Sequence, residues 1–399
     1  MNVTIQPSRA VGTVQAPPSK SMGHRALLCG ALSGGSVIKN LSYSKDIEAT
    51  LSCLEALGAA VKRDGDSVTI GGLNPFSLPQ APVLPCNESG STLRFFIPLC
   101  MLSGQSATLR GSERLFQRPL SVYKEIAADQ NIFWEQTQDS VTVCGKLQSG
   151  DYRVCGNVSS QFITGLLYAL PLLDGDSTLT VTEKFESASY IDLTLSALSD
   201  FGISIHRDGP VFHIPGNQHF MNREYTVEGD CSNAAFLDAL NLLGGNVDVR
   251  GLKPDTLQGD RVYKDMFSEL ETHTVFDLSD CPDLGPVMFS MAAAKGGAVF
   301  TGVARLRIKE SDRIGAMAQE LSKFGIRVTA DENTATVHPG TLRAPTEPLS
   351  GHNDHRIVMS MALLCTVTGG TITGCEAVSK SFPDFFEQLK TLHIGVEIK

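Results

Sequence analysis

Hydrophobic and polar positions along the chain repeat one grammar. An apolar stretch with helical spacing ends at a break. Two short runs of alternating apolar and polar residues follow, separated by a polar turn. The four clearest copies are "EALGAAVKRDGDSVTIGG", "ADQNIFWEQTQDSVTVCG", "SDFGISIHRDGPVFHIPG" and "SKFGIRVTADENTATVHPG". Aligned at Gly58, Asn131, Gly202 and Gly325, each places a β-branched residue twelve positions on: Ile70, Val143, Ile214 and Val337. Period-two alternation after a helix predicts a β-hairpin in each copy. Fainter copies end in "FSELETHTVFDL" and "FFEQLKTLHIGVEIK", giving six units in all and suggesting duplication, three units to a domain. Ordinary α/β alternation, with chance likeness between short strands, is the alternative account of the pattern. The polar stretch "PGNQHFMNREYTVEGD" marks the expected crossover between domains.

Other apolar helical runs open on dense polar clusters. "PPSKSMGHRALLCGAL" begins with Ser19, Lys20, Ser21 and Arg25, and "NESGSTLRFFIPLCML" with Glu88, Ser89, Gly90, Ser91 and Arg94. "VSSQFITGLLYALPLL" begins with Ser159, Ser160 and Gln161, "HNDHRIVMSMALLC" with Asp354, His355 and Arg356, "CPDLGPVMFSMAAA" with Asp283 and "KSFPDFFEQL" with Lys380. Helix capping accounts for Ser, Asp and Asn at such places. It does not account for Lys20, Arg25, Arg94, Lys309, Arg313 and Arg356, because a cation in the first turn opposes the helix dipole. An anion lying between these cations and the helix N–H groups would remove the conflict. The stretch "RLRIKESDR" poses the question most sharply, with six charges in nine positions just before an apolar helix. Alone, it reads equally well as a solvated, salt-bridged turn.

Composition narrows the classes. The chain has 399 residues, too many for a single core, so two domains are expected. A net charge of −10 argues against a protein that grips nucleic acid with a broadly basic surface. No run approaches the ~20 apolar residues of a membrane span. The first twenty residues lack the apolar core of a signal peptide, so the expected location is the cytoplasm. Ten cysteines lie singly, with no C-x-x-C, and read as reduced core thiols. "HNDH" offers a pair of candidate metal ligands without a third partner in view. "GALSGGSV" lacks the G-K-[ST] of a phosphate-binding loop. Asp283, between a proline and an apolar helix, is on local grounds as much an N-cap as a catalytic carboxylate.

In order along the chain, "PPSKSMGHRAL", "ESGSTLR", "QRPL", "SSQF", "SYIDLTL", "EGDCSNAAF", "DCPDLGP", "IKESDR", "NDHR" and "KSFPDFF" resemble the 5-enolpyruvylshikimate-3-phosphate synthases over nearly the whole length. The resemblance implies a two-domain inside-out α/β barrel with three βαβαββ-like repeats per domain. Residues 1–15 and 225–399 would form the phosphoenolpyruvate domain, and residues 16–224 the shikimate-3-phosphate domain. The implied reaction transfers the enolpyruvyl group of phosphoenolpyruvate to the 5-hydroxyl of shikimate-3-phosphate, with release of phosphate. The implied protein is a monomer that needs no cofactor and no metal, and has no nucleic-acid or membrane partner.

By the same resemblance, shikimate-3-phosphate is held by Lys20, Ser21, Arg25, Ser159, Ser160, Gln161, Ser187, Tyr190, Asp283 and Lys309. Phosphoenolpyruvate is held by Lys20, Gly90, Arg118, Arg313, His355, Arg356 and Lys380. Asp283 is the implied base for the 5-hydroxyl proton, Glu310 the implied acid toward the methylene carbon, and Lys20 a third catalytic residue. A carboxylic acid that donates at neutral pH needs a raised pKa, expected from burial and neighbouring carboxylates. Three departures stand out: Glu88 where many members have Asn, Arg305 where Asn is frequent, and "SASY" without a Lys-Pro. The sister UDP-N-acetylglucosamine enolpyruvyl transferases carry a reactive cysteine in the loop that here reads "GSERLFQRPL", with Glu113 five residues before Arg118. A catalytically dead relative should have lost Asp283, Glu310 or Lys20, and all three are present.

Overall fold

All four aligned breaks adopt the left-handed backbone conformation: Gly58 at φ 94°, Asn131 at 55°, Gly202 at 85° and Gly325 at 82°. Glycine and asparagine tolerate that region best, so each break stops its helix for a stereochemical reason. The computed structural model, which describes residues 1–183 and 187–399, runs from each break into an antiparallel hairpin. Ile70, Val143, Ile214 and Val337 are at most 1% exposed. A branched side chain packs well on a covered pleated face, which is why the residue type recurs there.

Two further strands complete each sheet. Ser67–Gly71 pairs antiparallel with Ser36–Lys39, which pairs parallel with Glu224–Thr226. Parallel, antiparallel, antiparallel is also the order in Val83–Asn87, Ala107–Gly111, Ser140–Cys144 and Phe133–Gln136. It returns in Asp151–Cys155, Ser177–Thr182, Val211–Ile214 and His206–Asp208, and in Val275–Asp277, Ala298–Thr301, Thr334–Val337 and Val328–Ala330. In these last three sheets a helix connects the parallel strands, as a parallel crossover requires.

The two fainter copies do not form hairpins of their own. Val275–Asp277, from "FSELETHTVFDL", is the opening strand of the next sheet. Val396–Ile398, from the last copy, pairs with Asn2–Ile5, so that hairpin joins the two ends of the chain. Asn2 and Lys399 exchange backbone hydrogen bonds at 2.9 and 2.8 Å. Leu349–Ser350 and Gly370–Thr373 complete this sheet, while Asn246–Arg250 and Val11–Gln15 stand as a parallel pair. Among the described residues there are thus five four-stranded sheets and one of two strands. The shared periodicity was real, but backbone pairing distributes it unevenly.

Packing separates the chain into two units, Pro18–Glu228, and Met1–Pro17 with Gly229–Lys399. Each has its own hydrophobic core. In the first lie helices α1 (Lys20–Leu32), α2 (Lys45–Ala56), α3 (Gly90–Cys100), α4 (Ser160–Ala169) and α5 (Ala188–Asp200). In the second lie α6 (Cys231–Leu242), α7 (Gly285–Lys295), α8 (Arg313–Lys323), α9 (His355–Thr368) and α10 (Phe385–Thr391). Met22–Ala31 of α1 and His355–Thr366 of α9 are buried without interruption. A helix apolar on every side belongs in the interior of its unit, where only its end can carry polar chemistry. Among the described residues, no helix is long and apolar enough to cross a membrane. The expected Glu113 loop holds a short helix, Glu113–Gln117; of the two cysteines flanking it in sequence, Cys100 is buried as a core thiol should be, but Cys144 is half-exposed at the end of its strand.

Close approach of α3 and α4 depends on Gly165. A Cβ there would lie 2.5 Å from the Arg94 carbonyl and 2.2 Å from the Tyr123 hydroxyl. That hydroxyl lies 2.7 Å from the Arg94 carbonyl and 3.0 Å from the Phe162 carbonyl and shares its one proton between them, tying the two helices together. Gly165→Ala is expected to lower the unfolding free energy by about 2–4 kcal/mol, combining overpacking with displaced buried hydrogen bonds. Urea denaturation measures it; an unchanged midpoint would mean that the helices are not locked at this contact.

Candidate functional site

In the Pro18–Glu228 unit the polar residues gather at the starts of α1, α3, α4 and α5. Ser19 caps α1, its hydroxyl accepting from the Met22 N–H at 3.4 Å. Lys20 follows in the first turn, and its ammonium meets Asp46 of α2 at 2.7 Å, which offsets the unfavourable dipole. Arg25 is 3% exposed and is held by three donations: to Thr194 Oγ1 at 3.0 Å, and to the Ser21 and Tyr190 carbonyls at 2.8 Å each. A buried chain of side chains links α1 to the start of α3. His24 Nδ1 lies 2.8 Å from Thr50 Oγ1, which lies 2.7 Å from Thr92 Oγ1, which donates to Ser89 Oγ at 2.6 Å. Burial, with Lys20 and Arg25 nearby, pulls the pKa of His24 well below the ordinary histidine value.

Gly90 opens α3, and a Cβ on it would lie 2.5–3.0 Å from the Arg118 guanidinium. Glycine is what lets Arg118 rest on the helix end. Arg94 donates to Gln161 Oε1 at 2.9 Å and to the Pro119 carbonyl at 3.0 Å, while Gln161 Nε2 donates to Ser91 at 2.9 Å. Arg94 therefore orients Gln161, a role its place in the sequence did not disclose. Ser159 caps α4, accepting from the Gln161 N–H at 3.3 Å, and Ser160 is the next residue. Ser187 precedes α5 in the left-handed conformation, φ 55°, and makes no side-chain cap. These contacts bring Lys20, Ser21, Arg25, Gly90, Arg118, Ser159, Ser160, Gln161, Ser187 and Tyr190 to the starts of neighbouring helices, with Arg118 joining from the loop beside α3.

In the Gly229–Lys399 unit the centre is Arg313, the first residue of α8 and 1% exposed. It donates to Asp354 Oδ2 at 2.9 Å, Asp283 Oδ1 at 2.8 Å and Glu310 Oε2 at 2.8 Å. Asp283 also meets Lys309 at 3.3 Å and Arg356 at 3.2 Å. Asp354 caps α9, accepting from the Arg356 N–H at 3.0 Å, and also accepts from Ser311 Oγ at 3.0 Å. His355 is 1% exposed beside it, and Lys380 donates to the Asn353 carbonyl at 2.5 Å. Asp283, Lys309, Glu310, Arg313, His355, Arg356 and Lys380 thus assemble with Asp354, which its capping position had concealed.

Several local readings change. Asp283 is not an N-cap: it sits in the turn Pro282–Leu284, Leu284 precedes α7, and no side chain caps that helix. Lys380 does not open α10 but ends the turn Cys375–Lys380. The charged run before α8 is a solvated pair only at Arg307–Asp312, 3.6 Å apart and more than a third exposed. Arg305 turns inward, 8% exposed, and donates to the Ser279 carbonyl. The cations at this helix start face carboxylates of the chain itself. His352 turns to Glu320 at 2.8 Å, and among the described residues no cluster of three or more His, Cys, Asp or Glu could hold a metal.

The carboxylates here are tuned apart. Burial pushes the Asp283 carboxyl up, but Arg356, Lys309 and Arg313 outweigh it and hold it well below the usual range. Asp260, 5% exposed, is driven the other way, to about 7, by burial and by the charge of Asp283, against the pull of Arg356. A carboxyl raised in the folded state binds its proton more tightly there than in the unfolded chain. Between the ordinary 3.8 and about 7, Asp260 therefore makes stability fall as pH rises. Asp260→Asn, which mimics the protonated form, is expected to raise Tm by several degrees at pH 8 and by much less at pH 4. Thermal scans at the two pH values check this; an equal change at both would remove Asp260 as the source.

Comparison with known proteins bears out the resemblance read from the sequence. The family model described as EPSP synthase (3-phosphoshikimate 1-carboxyvinyltransferase) matches residues 5–275 and 269–389. The 3-phosphoshikimate 1-carboxyvinyltransferase of Clostridium kluyveri is 42% identical, over 98% of this chain and 97% of that protein. Its counterpart in Clostridium acetobutylicum is 39% identical, over 98% and 97%. A solved EPSP synthase from Acinetobacter baumannii superposes with a TM-score of 0.81 at 23% identity, over 100% of both chains. The enolpyruvyl transferase NikO from Streptomyces tendae superposes with 0.77 at 16%, over 99% of this chain and 98% of that one. These two structures speak for the fold. With sequence matches running nearly from end to end, the chain belongs to the EPSP synthase (3-phosphoshikimate 1-carboxyvinyltransferase) family.

Proposed function

We infer that the chain transfers the enolpyruvyl group of phosphoenolpyruvate to the 5-hydroxyl of shikimate-3-phosphate, a step toward chorismate and the aromatic amino acids. The observation that carries the reading is the convergence of Lys309, Arg313 and Arg356 on one carboxylate, Asp283. Asp283 takes the proton of the 5-hydroxyl as that oxygen bonds to C2 of phosphoenolpyruvate, and Glu310 gives a proton to C3. The tetrahedral adduct then loses a proton from C3 and phosphate from C2, restoring the double bond. Lys20 serves both substrates as a point charge. Shikimate-3-phosphate is assigned to Lys20, Ser21, Arg25, Ser159, Ser160, Gln161, Ser187, Tyr190, Asp283 and Lys309. Phosphoenolpyruvate is assigned to Lys20, Gly90, Arg118, Arg313, His355, Arg356 and Lys380.

The ion pairs add a physical condition to this scheme. A carboxylate held far below its ordinary pKa is a poor base. Phosphate and carboxylate groups of the substrates compete for the same guanidinium and ammonium groups. As they draw those groups off, Asp283 loses its counter-charges and becomes more basic. Proton abstraction is then favoured when the site is occupied. Asp283→Asn is expected to bind both substrates and lose about 10²–10⁴-fold in kcat, the usual worth of a general base. Phosphate release measures it, and near-normal turnover would remove Asp283 from this role.

Acceptor choice is tested in the same assay. Glu113, where the sister enzymes have their cysteine, is a far poorer nucleophile toward an epoxide than a thiolate. The protein is expected to release phosphate with shikimate-3-phosphate, to ignore UDP-N-acetylglucosamine, and to resist inactivation by fosfomycin. Turnover with the nucleotide sugar, or a covalent fosfomycin adduct, would assign the sister activity instead.

A further inference from the structure

Glu320 lies in the last turns of α8, and its side chain is 0% exposed. A carboxylate so placed must be satisfied by donors. Oε2 accepts from the Ser350 N–H at 2.9 Å and lies 2.9 Å from Lys323 Nζ, while Oε1 lies 2.8 Å from His352 Nε2. Ser350 ends the strand Leu349–Ser350, and His352 lies in the short loop that runs from it into α9. In that loop His352 and Asn353 take left-handed conformations, φ 47° and 51°, back to back. Side chains with a Cβ disfavour this region, and such residues persist where surrounding contacts hold them. The Gly351 N–H donates to the Thr373 carbonyl at 2.9 Å and the Asp354 N–H to the Gly351 carbonyl at 2.8 Å, closing the turn.

What the loop presents is the Asn353 carbonyl to Lys380 and the Asp354 carboxylate to Arg313. Were His352 and Asn353 to relax toward extended or right-handed backbone, the peptide between Asn353 and Asp354 would turn, carrying both acceptors out of place. Glu320 touches neither cation, yet it fixes the loop from the far end of the helix that Arg313 begins.

We propose that Glu320 and His352 are positioning residues for phosphoenolpyruvate: their contact holds the left-handed loop that sets Lys380 and Arg313. The proposal rests on the assignment of Lys380 and Arg313 to that substrate. It locates part of the donor site's affinity in a clamp on the opposite end of α8, built from the "HNDH" motif's first histidine.

Steady-state kinetics of His352→Ala, Glu320→Gln and the double variant test it. His352→Ala is expected to raise KM for phosphoenolpyruvate about tenfold, with kcat and KM for shikimate-3-phosphate changed less than about twofold, as lost uniform binding predicts. Because the two side chains share one contact, the cost of the double variant should fall well short of the sum of the two single costs. His352→Gln, which keeps an N–H donor of similar reach, should restore most of the affinity. Parallel changes in both KM values and kcat, or additive single variants, would overturn the proposal in favour of general destabilisation. Hydrogen exchange of the free protein provides a readout that needs no turnover. His352→Ala should speed exchange of the Asp354 and Arg356 amides while α4 amides stay unchanged. Unaltered exchange at Asp354 and Arg356 would overturn the clamp even in an active enzyme, whereas an inactive wild type with altered exchange would count against the assigned reaction alone.

Discussion

The Gly229–Lys399 unit is organised around the burial of one guanidinium. Arg313 stands at the start of an apolar helix, where the dipole and the low dielectric both oppose a cation. Its planar fork meets carboxylates from three places: Asp283 before α7, Glu310 one turn upstream, and Asp354 at the cap of α9. Burial alone would lower its pKa, yet those carboxylates raise it beyond the ordinary arginine value. Removing any one would still leave two carboxylates on the guanidinium but would break a charge-assisted hydrogen bond, a change that typically costs about 1.5–3 kcal/mol. The starts of α8 and α9 and the turn before α7 are therefore fixed relative to one another by electrostatics as much as by packing.

The two units hold their cations differently. At the helix starts of Pro18–Glu228, Arg25 donates to two carbonyls and a threonine hydroxyl and Arg94 to a carbonyl and an amide oxygen, while Lys20 meets a carboxylate. An arginine bound to neutral acceptors keeps its whole charge for an incoming anion. In Gly229–Lys399, Lys309, Arg313 and Arg356 are bound to carboxylates, so an anion that uses them must take the place of an existing partner. That exchange is less favourable for affinity but gives a means of altering Asp283 at the moment a ligand arrives. Cations thus gather at helix starts in both units, over neutral acceptors at Arg25 and over carboxylates at Arg313.

Much of the fold was legible because it rests on local rules. Left-handed stops at Gly58, Asn131, Gly202 and Gly325 and buried branched residues twelve positions later need no knowledge of distant contacts. Ser19, Ser89, Ser159 and Asp354 were readable as caps for the same reason. The presence of unexplained cations at helix starts was legible too, since a first-turn Lys or Arg violates a local preference.

What answers those cations was decided only by tertiary structure. Asp46 looks like any first-turn acid, yet it meets Lys20 across two helices. Asp354 looks like a cap and is one, while its carboxylate also holds Arg313, forty-one residues away in the chain. Asp260 and Glu320 carry no local signal, because their character comes from burial and from partners on other elements. The closing of one hairpin by Asn2 and Lys399 is likewise invisible to periodicity. Sequence sets backbone conformation through sterics acting over a few residues. Charge pairing and strand partnership depend on which segments the packed cores bring together, and that is settled only in three dimensions.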